Sequence, residues 1–152
     1  MVPHGRGIKV DIAGKQLFEG WFRNGKVEGR VRRIANDPAG GFIVQTGEFK
    51  NDLASGMCTV KWPSGQYFHG SIQNGKRNGF GFIRYKDGVS FMGIWKDDQR
   101  EGYGEMAYPN GIKLKGNWVN HKKEGMFKVE QEDALRGQVK TNIVIYSNDE
   151  RA

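Results

Sequence analysis

The chain contains short segments in which hydrophobic and polar positions alternate, and residues 68–73 show the pattern most clearly. Phe68, Gly70 and Ile72 alternate there with polar side chains, and this two-residue period is typical of a β-strand with one buried face. Asn74-Gly75 follows and tolerates positive φ at both central positions of a tight turn. The chain is therefore predicted to reverse into a second strand over about residues 78–85, which completes a β-hairpin.

The same turn chemistry recurs along the chain. The equivalent dipeptides are Asn24-Gly25, Asn51-Asp52, Asp97-Asp98 and Asn120-His121. Every one contains an Asn or Asp, which occupies left-handed backbone geometry at modest cost. Residues 4–128 are therefore predicted to form consecutive antiparallel hairpins with essentially no helix, turning near Gly25, Asp52, Gly75, Asp98 and His121.

Glycines recur in phase with these hairpins. The first series is Gly20, Gly47, Gly70, Gly93 and Gly116, and its last four members are 23 residues apart. A second glycine follows nine residues after each member, which indicates an array of small stacked units. Flexible linkers do not explain the pattern, because linker glycines keep no fixed distance from aromatic residues. Crowding does explain it, since Gly70 and Gly81 would make room for rings such as Phe68 and Tyr85.

The third and fourth units carry a resemblance to a known family. They read Phe68-x-Gly70, Asn74-Gly75-Lys76, Gly79-Phe80-Gly81 and Asp87-Gly88, then Phe91-x-Gly93-x-Trp95, Gly102-Tyr103-Gly104 and Asn110-Gly111. This pattern resembles the MORN (membrane occupation and recognition nexus) repeat over roughly residues 4–128. The resemblance implies an all-β fold, an elongated single-layer array of stacked antiparallel β-hairpins. About five full repeats are expected, with a partial N-terminal repeat and a C-terminal cap.

Several segments depart from the repeat. His4–Gly7 matches only the second half of a repeat, and the first unit is stretched by a turn-rich insertion over residues 36–41. Gln45 replaces an aromatic residue. After Val129 the register fades, although residues 135–139 echo the first strand of a unit and residues 142–146 are predicted to form a final strand. We therefore predict one domain, with a repeat array over residues 1–128 and a capping segment over residues 129–152.

Composition limits the class of protein. The single cysteine, Cys58, excludes an intramolecular disulfide and suits a reducing compartment, and it is predicted to be a small buried filler. There is no apolar run near 18 residues and no secretory signal, so we expect a soluble intracellular protein. Residues 1–128 hold 21 basic and 12 acidic residues, whereas residues 129–152 hold 3 and 5. The array is basic and the tail is not.

Because the period is fixed, basic residues at equivalent positions form a series, which we call the basic ladder. It contains Lys26, Lys76, Arg77, Arg100, Lys122 and Lys123. One interpretation is that these charges are solvated and protect an exposed sheet from aggregation. The other is that they bind an acidic partner, either a protein or anionic lipid headgroups.

The sequence predicts no enzyme. His4, His69 and His121 are not at metal-ligand spacing, and GxSxG, HExxH and CxxC motifs are absent. The GxG motifs lie within hairpins and open no helix, which argues against a phosphate-binding loop. No metal, cofactor or small-molecule substrate is expected. Nucleic acid is not an expected partner either, because aromatic residues at strand-interior spacing are typical of packing, not of base stacking.

A second series of residues is aromatic, and we predict that it lines a partner groove. Its members are Phe22, Phe49, Trp62, Tyr85, Trp95, Tyr108 and Trp118. Rings not covered by the next hairpin would form an apolar strip suited to an extended peptide or a helix. The predicted function is a non-catalytic interaction scaffold or adaptor.

The resemblance implies a cytoskeletal, axonemal or motor-associated protein partner, and a cytoplasmic location that includes the cytoskeleton or cilium. Two alternatives stay open at this point. One is a peripheral module that binds anionic phospholipids at the cytoplasmic face of a membrane through the basic ladder. The other is a targeting module excised from a larger enzyme.

Overall fold

A computed structural model describes residue 2 and residues 4–151, and within them the chain forms β-strands and no helix. The strands are β1 (Gly5–Asp11), β2 (Gln16–Arg23), β3 (Lys26–Asn36), β4 (Phe42–Lys50), β5 (Leu53–Lys61), β6 (Tyr67–Gln73), β7 (Lys76–Arg84), β8 (Ser90–Lys96), β9 (Gln99–Ala107), β10 (Ile112–Val119), β11 (Lys122–Asp133), β12 (Gln138–Ser147) and β13 (Glu150–Arg151). They form a single open antiparallel sheet in which strand order follows sequence order. The all-β, hairpin-based prediction is confirmed. The described residues include no helix with the length and apolarity needed to cross a membrane.

The predicted turns are also confirmed. At each of the five positions, two residues with positive φ connect consecutive strands, and they include non-glycine residues such as Asp98 (φ 69°) and His121 (φ 73°). A sixth turn of the same kind, which the sequence analysis did not predict, lies at Asn148-Asp149 and connects β12 to β13. Two consecutive positive φ values match the right-handed twist of the strands that flank a hairpin turn.

The tail departs from the sequence-based expectation in one respect. Residues 135–139 do not begin as a strand, since Leu135 lies in the turn between β11 and β12 and is 98% exposed. The pattern is misleading there because a leucine two residues before a glycine occurs in turns as well as in strands. The predicted strand over residues 142–146 is confirmed within β12. The boundary placed at residue 128 lies inside β11 and stays a prediction.

The chain divides into two compact units, Met1–Arg77 and Asn78–Ala152, which we call unit 1 and unit 2. In unit 2 the buried rings contact one another edge to face. Phe91 lies 5.0 Å from Trp118, Trp118 lies 4.7 Å from Phe127, and Phe127 lies 5.2 Å from Tyr146 between ring centroids. Because such pairs add to the stabilisation from burial, the series forms the core of unit 2.

Glycines allow these rings to approach the backbone. A Cβ atom added at Gly104 would lie 2.5 Å from the Phe91 ring, and one added at Gly116 would lie 2.8 Å from the Phe127 ring. The crowding that the glycine series predicts is therefore observed at these positions. Trp95 is 1% exposed, and its indole N–H donates a hydrogen bond to the Gly81 carbonyl at 3.2 Å.

Unit 1 has a core with fewer rings. Phe18 and Phe49 pack edge to face at 6.3 Å, and Cys58 occupies a position that is glycine in two of the five repeats, at Gly81 and Gly104. Cys58 is 1% exposed, and burial raises the pKa of its thiol, as expected for an inert filler. Gln45 is buried and accepts a hydrogen bond from the Arg33 guanidinium at 3.3 Å, which explains how a polar residue replaces an aromatic one there.

Candidate interaction surfaces

The structure places four of the seven predicted groove residues in the core. Phe22, Phe49, Trp95 and Trp118 are between 1% and 4% exposed. Their rings pack against other residues of the same chain, so a partner on the surface cannot contact them. The part of the predicted groove that a partner can reach is limited to Trp62, Tyr85 and Tyr108.

These three rings are half-buried and occupy equivalent positions. Each begins the turn that connects one repeat to the next. The N–H of Tyr85 donates to the Val89 carbonyl at 2.8 Å, and the N–H of Tyr108 donates to the Ile112 carbonyl at 2.9 Å. The Tyr108 hydroxyl also donates to the Met106 sulfur at 3.1 Å. The role of these rings in partner binding stays a prediction.

Three of the six side chains of the basic ladder lie over aromatic rings. Arg77 lies over Phe68 at 5.8 Å, and Arg100 lies over Phe91 at 5.6 Å. Both distances fall within the range of cation–π attraction. These arginines therefore cover the core of their own unit, a role that the sequence analysis did not predict.

Lys123 occupies the next equivalent position and behaves similarly. Its ammonium lies 4.7 Å from the centre of the Tyr146 ring and 3.2 Å from an Asp149 carboxylate oxygen. The remaining ladder residues, Lys26, Lys76 and Lys122, are exposed beside the tight turns. A partner that recognises the ladder would meet these three lysines first.

A further surface, which the sequence analysis missed, lies on unit 2. We call the sheet face opposite the buried rings the outer face. Phe80 is 57% exposed there, Ile94 41%, Tyr103 61% and Met126 71%. A signal for it was present in the sequence, because Phe80, Tyr103 and Met126 directly follow glycines of the second series and recur every 23 residues.

Strand pairing brings these four residues, which we call the outer row, into one line across β7 to β11. Phe80 pairs directly with Ile94. Gly93 faces Gly104 across the next pair of strands, which puts Ile94 and Tyr103 diagonally beside each other. On β10 the residue opposite Tyr103 is the polar Asn117, and Met126 lies on β11, where the register between β10 and β11 shifts.

Charges border this row along the same face. Lys115 contacts Glu130 at 2.8 Å and Glu105 at 3.5 Å, and Lys128 contacts Glu130 at 2.7 Å. Hydrogen bonds from Lys115 and Lys128 lower the pKa of Glu130 to about 2. The network leaves these charges paired with one another, so they frame the outer row as a polar rim. Within the described part of the chain, no three His, Cys, Asp or Glu side chains are placed to hold a metal ion.

Comparison with known proteins agrees with the geometry. Residues 46–67, 68–90 and 91–113 match the family model of the MORN repeat. Residues 46–113 are three consecutive MORN repeats. No curated protein shows significant sequence similarity to it.

One similar solved structure is the SAS-4 (dCPAP) TCP domain of Drosophila melanogaster, in complex with a proline-rich motif of Ana2 (dSTIL). The sequences are 18% identical with a TM-score of 0.46, and the alignment covers 85% of this chain and 66% of that chain. MORN repeats are interaction modules for proteins or membranes, and this chain has the repeat's hairpin architecture.

Proposed function

We propose that these MORN repeats form a non-catalytic module that binds an extended segment or a helix of a protein partner on the outer face of unit 2. The observation that supports the proposal is the outer row of Phe80, Ile94, Tyr103 and Met126. Single exposed apolar residues are ordinary on protein surfaces, but exposed apolar residues aligned on neighbouring strands and bordered by charges are typical of an interaction site. Aromatic residues and methionine are also enriched where protein partners meet.

The dimensions of the outer row suit a helix or an extended segment. It spans four strand spacings, from β7 to β11, which corresponds to about 19 Å at 4.7–4.9 Å per strand. A helix of about 13 residues covers the same distance at 1.5 Å per residue. Such a helix would present apolar residues every three or four positions toward the sheet.

The MORN family suggests what kind of partner this is. By that resemblance we propose a cytoskeletal, axonemal or motor-associated protein, and a cytoplasmic location at the cytoskeleton or cilium. Excision from a larger enzyme, with the repeats as its targeting module, is compatible with the same binding surface.

Binding to anionic phospholipids is the second candidate, and the exposure of Lys26, Lys76 and Lys122 favours it. Each lysine near an anionic membrane contributes about 1 kcal/mol, so three exposed lysines by themselves give reversible, salt-sensitive attachment. Arg77, Arg100 and Lys123 contribute less than the sequence suggested, because each already covers a ring of the core.

The test compares three double variants with the parent in quantitative pull-downs from an extract of ciliated cells. Phe80→Ser with Tyr103→Ser removes the outer row, Tyr85→Ala with Tyr108→Ala removes the half-buried rings, and Lys76→Glu with Lys122→Glu reverses the exposed lysines. Circular dichroism and thermal melting first establish that each variant is folded. We expect the set of captured proteins to be lost with the outer-row variant and retained with the other two.

Phosphatidylserine vesicles provide the comparison for the membrane alternative. Exposed charges are screened over about 8 Å at physiological salt, so lipid binding must weaken steeply as ionic strength rises. Salt-sensitive vesicle binding that only the lysine variant loses, together with unchanged protein capture by the outer-row variant, would contradict the proposal.

A further inference from the structure

The outer face of unit 1 carries two features at opposite ends of the same strands. One is a pair of arginines on either side of a tryptophan, and the other is an apolar depression. Neither belongs to the outer row or to the basic ladder. Together they define the chemistry of a ligand more closely than either does alone.

The arginine site is built on the first three strands. Arg6 on β1 pairs in register with Trp21 on β2. Trp21 lies at a register shift between β2 and β3, and a Cβ atom on Gly29 would come within 3.9 Å of its side chain. Arg30 follows Gly29 directly. Arg6, Trp21 and Arg30 line one depression of about 340 Å³, with the tryptophan 56% exposed.

The arginines that line this depression differ in whether they form an ion pair. Arg32, which also lines it, contacts Glu19 at 3.9 Å. Glu19 lines the same depression, and Glu48 lies opposite Arg30 in the register of β3 and β4. Arg6 and Arg30 are nevertheless exposed, and neither forms an ion pair within residue 2 and residues 4–151. Two unpaired guanidinium groups beside an exposed indole favour an anionic group that accepts several hydrogen bonds, because guanidinium binds carboxylates through paired donors.

The apolar depression lies further along the same strands and measures about 310 Å³. Val10, Leu17, Ile34 and Phe42 contribute its apolar walls. Val10 pairs with Leu17 and Leu17 pairs with Ile34, so three neighbouring strands contribute to it. Val10 is 64% exposed and Phe42 61%, which leaves an apolar surface that a partner side chain can cover.

The separation of the two features follows from strand geometry. Arg6 and Val10 are four residues apart on β1, and an even separation puts both on the same face. At about 3.3 Å per residue, they are about 13 Å apart. An extended peptide has the same rise, so two of its own side chains four residues apart match the two features.

We propose that the outer face of unit 1 binds an extended protein segment that carries an acidic side chain and, four residues away, a large apolar side chain. The carboxylate binds Arg6 and Arg30 beside Trp21, and the apolar side chain enters the depression between Val10, Leu17 and Ile34. A protein segment fits this face better than an isolated anion or a lipid headgroup, because only a segment provides the second, apolar contact at a fixed distance. This binding site lies in unit 1, so it is independent of the outer row of unit 2.

The test uses fluorescein-labelled peptides on a Ser/Thr background, measured by fluorescence anisotropy with the full chain. Each peptide contains one Glu and one Leu, and the Leu lies two, three, four or five residues after the Glu. Matched peptides replace Glu with Gln or Leu with Ser. We expect the tightest binding at a separation of four, weaker binding at three and five, where the leucine points to the other face, and at least a tenfold loss in either matched peptide.

Protein variants locate the site. Arg6→Gln with Arg30→Gln is expected to lower affinity for the Glu-Leu peptide at least tenfold, and Phe42→Ser to lower it severalfold. Lys50→Gln with Lys61→Gln removes two exposed positive charges elsewhere in unit 1 and is expected to have little effect. The outer-row variant Phe80→Ser with Tyr103→Ser is expected to bind the peptide normally, which separates this proposal from the proposed function.

Four results would overturn the inference. The first is the absence of binding by any peptide of the set to a folded parent chain. The second is affinity that follows peptide charge alone and ignores the position of the leucine. The third is equal loss in the arginine and lysine variants, which would indicate a general electrostatic effect. Stronger binding of phosphoinositide vesicles than of every peptide, abolished by the arginine variant, would assign the arginines to a lipid instead.

Discussion

At the residue scale, one contact explains why glycine and aromatic positions alternate along each repeat. Phe91 lies against the backbone at Gly104, and a Cβ atom on Gly93 would come within 2.6 Å of the Gly104 Cα atom. The obstacle there is backbone, which cannot turn aside as a long side chain does. A ring therefore fills the space that a side chain would otherwise occupy, and the buried Trp95 follows two residues later.

Substitutions at these positions are expected to destabilise unit 2 by different mechanisms. Trp95→Ala should lower the free energy of unfolding by about 3–5 kcal/mol, because it leaves a cavity in a core that packs tightly. Gly93→Ala should lower it through overpacking by about 1–3 kcal/mol. Tyr103→Ala, at an exposed position of the same sheet, should change it by no more than about 0.5 kcal/mol. Urea denaturation followed by circular dichroism measures all three, and equal midpoints would show that the core is misassigned.

Glu130 gives a second residue-scale prediction. Its pKa is lowered to about 2 by the hydrogen bonds from Lys115 and Lys128, against a usual value of 4.5. A carboxyl group whose pKa is lower in the folded than in the unfolded state stabilises the fold at pH values above its unfolded-state pKa. For Glu130 this contribution is lost as the pH falls from about 4.5 toward 2. Glu130→Gln should therefore lower the urea midpoint at neutral pH, and the difference from the parent should close by about pH 2. A difference that is constant with pH would contradict this account, and Glu132→Gln serves as the control.

At the element scale, the tight turns do more than reverse the chain. The Asp52 carboxylate accepts the Val27 N–H at 2.8 Å, and the Asp52 N–H donates to the Val27 carbonyl at 3.1 Å. Asp149 makes the same pair of bonds with Lys123, at 2.8 and 3.0 Å. In these turns the second residue attaches its hairpin to the start of the second strand of the hairpin before it.

His121 makes the equivalent contacts with Arg100, and its Nδ1 takes the place of the carboxylate oxygen at 3.1 Å. Gly25 and Gly75 occupy this position in two other turns and provide only the positive φ. Where the position carries a side chain, as at Asp52 and His121, that side chain tolerates positive φ and accepts a hydrogen bond. Asp, Asn and His satisfy both requirements. This explains why Asp is used in turns where glycine alone would satisfy the backbone.

The Asp52 contact can be tested apart from the turn geometry. Asp52→Gly keeps the positive φ but removes the acceptor of the Val27 N–H. The variant should therefore lower the free energy of unfolding by about 1–3 kcal/mol, and glycine's relief of backbone strain should offset a small part of this loss. Asn51→Gly changes the neighbouring turn residue and keeps the N–H that donates to Glu28 at 3.3 Å. The control should stay within about 0.5 kcal/mol of the parent. If the two variants have the same melting temperature, the side-chain bond does not contribute.

The sequence predicted the hairpins because turn residues and strand alternation are local signals. It predicted neither the bonds of Asp52 nor the position of Arg100 over Phe91, because both join residues of different strands. Periodicity shows which residues are equivalent, but it does not show whether an equivalent side chain is solvated or folded over a ring. For the same reason, the sequence showed that Trp95 and Trp118 occupy equivalent positions but did not show that both are buried.

At the scale of the whole molecule, each unit turns its rings inward and offers a different outer face. Unit 1 offers paired arginines with Trp21, whereas unit 2 offers the outer row. The sequence predicted a partner site among seven large aromatic residues, but four of those seven form the core. Three of the four residues of the outer row, Phe80, Tyr103 and Met126, instead directly follow the second glycine of a repeat.

Photocrosslinking tests the central claim, that the outer face of unit 2 contacts a protein partner, most directly. Benzoylphenylalanine is placed at position 103 or at position 85 in otherwise unchanged chains, and both are irradiated in the same ciliated-cell extract. We predict a discrete protein adduct from position 103 that excess unlabelled parent chain suppresses, and none from position 85. An adduct from position 85 alone, or only lipid adducts from position 103, would contradict the account.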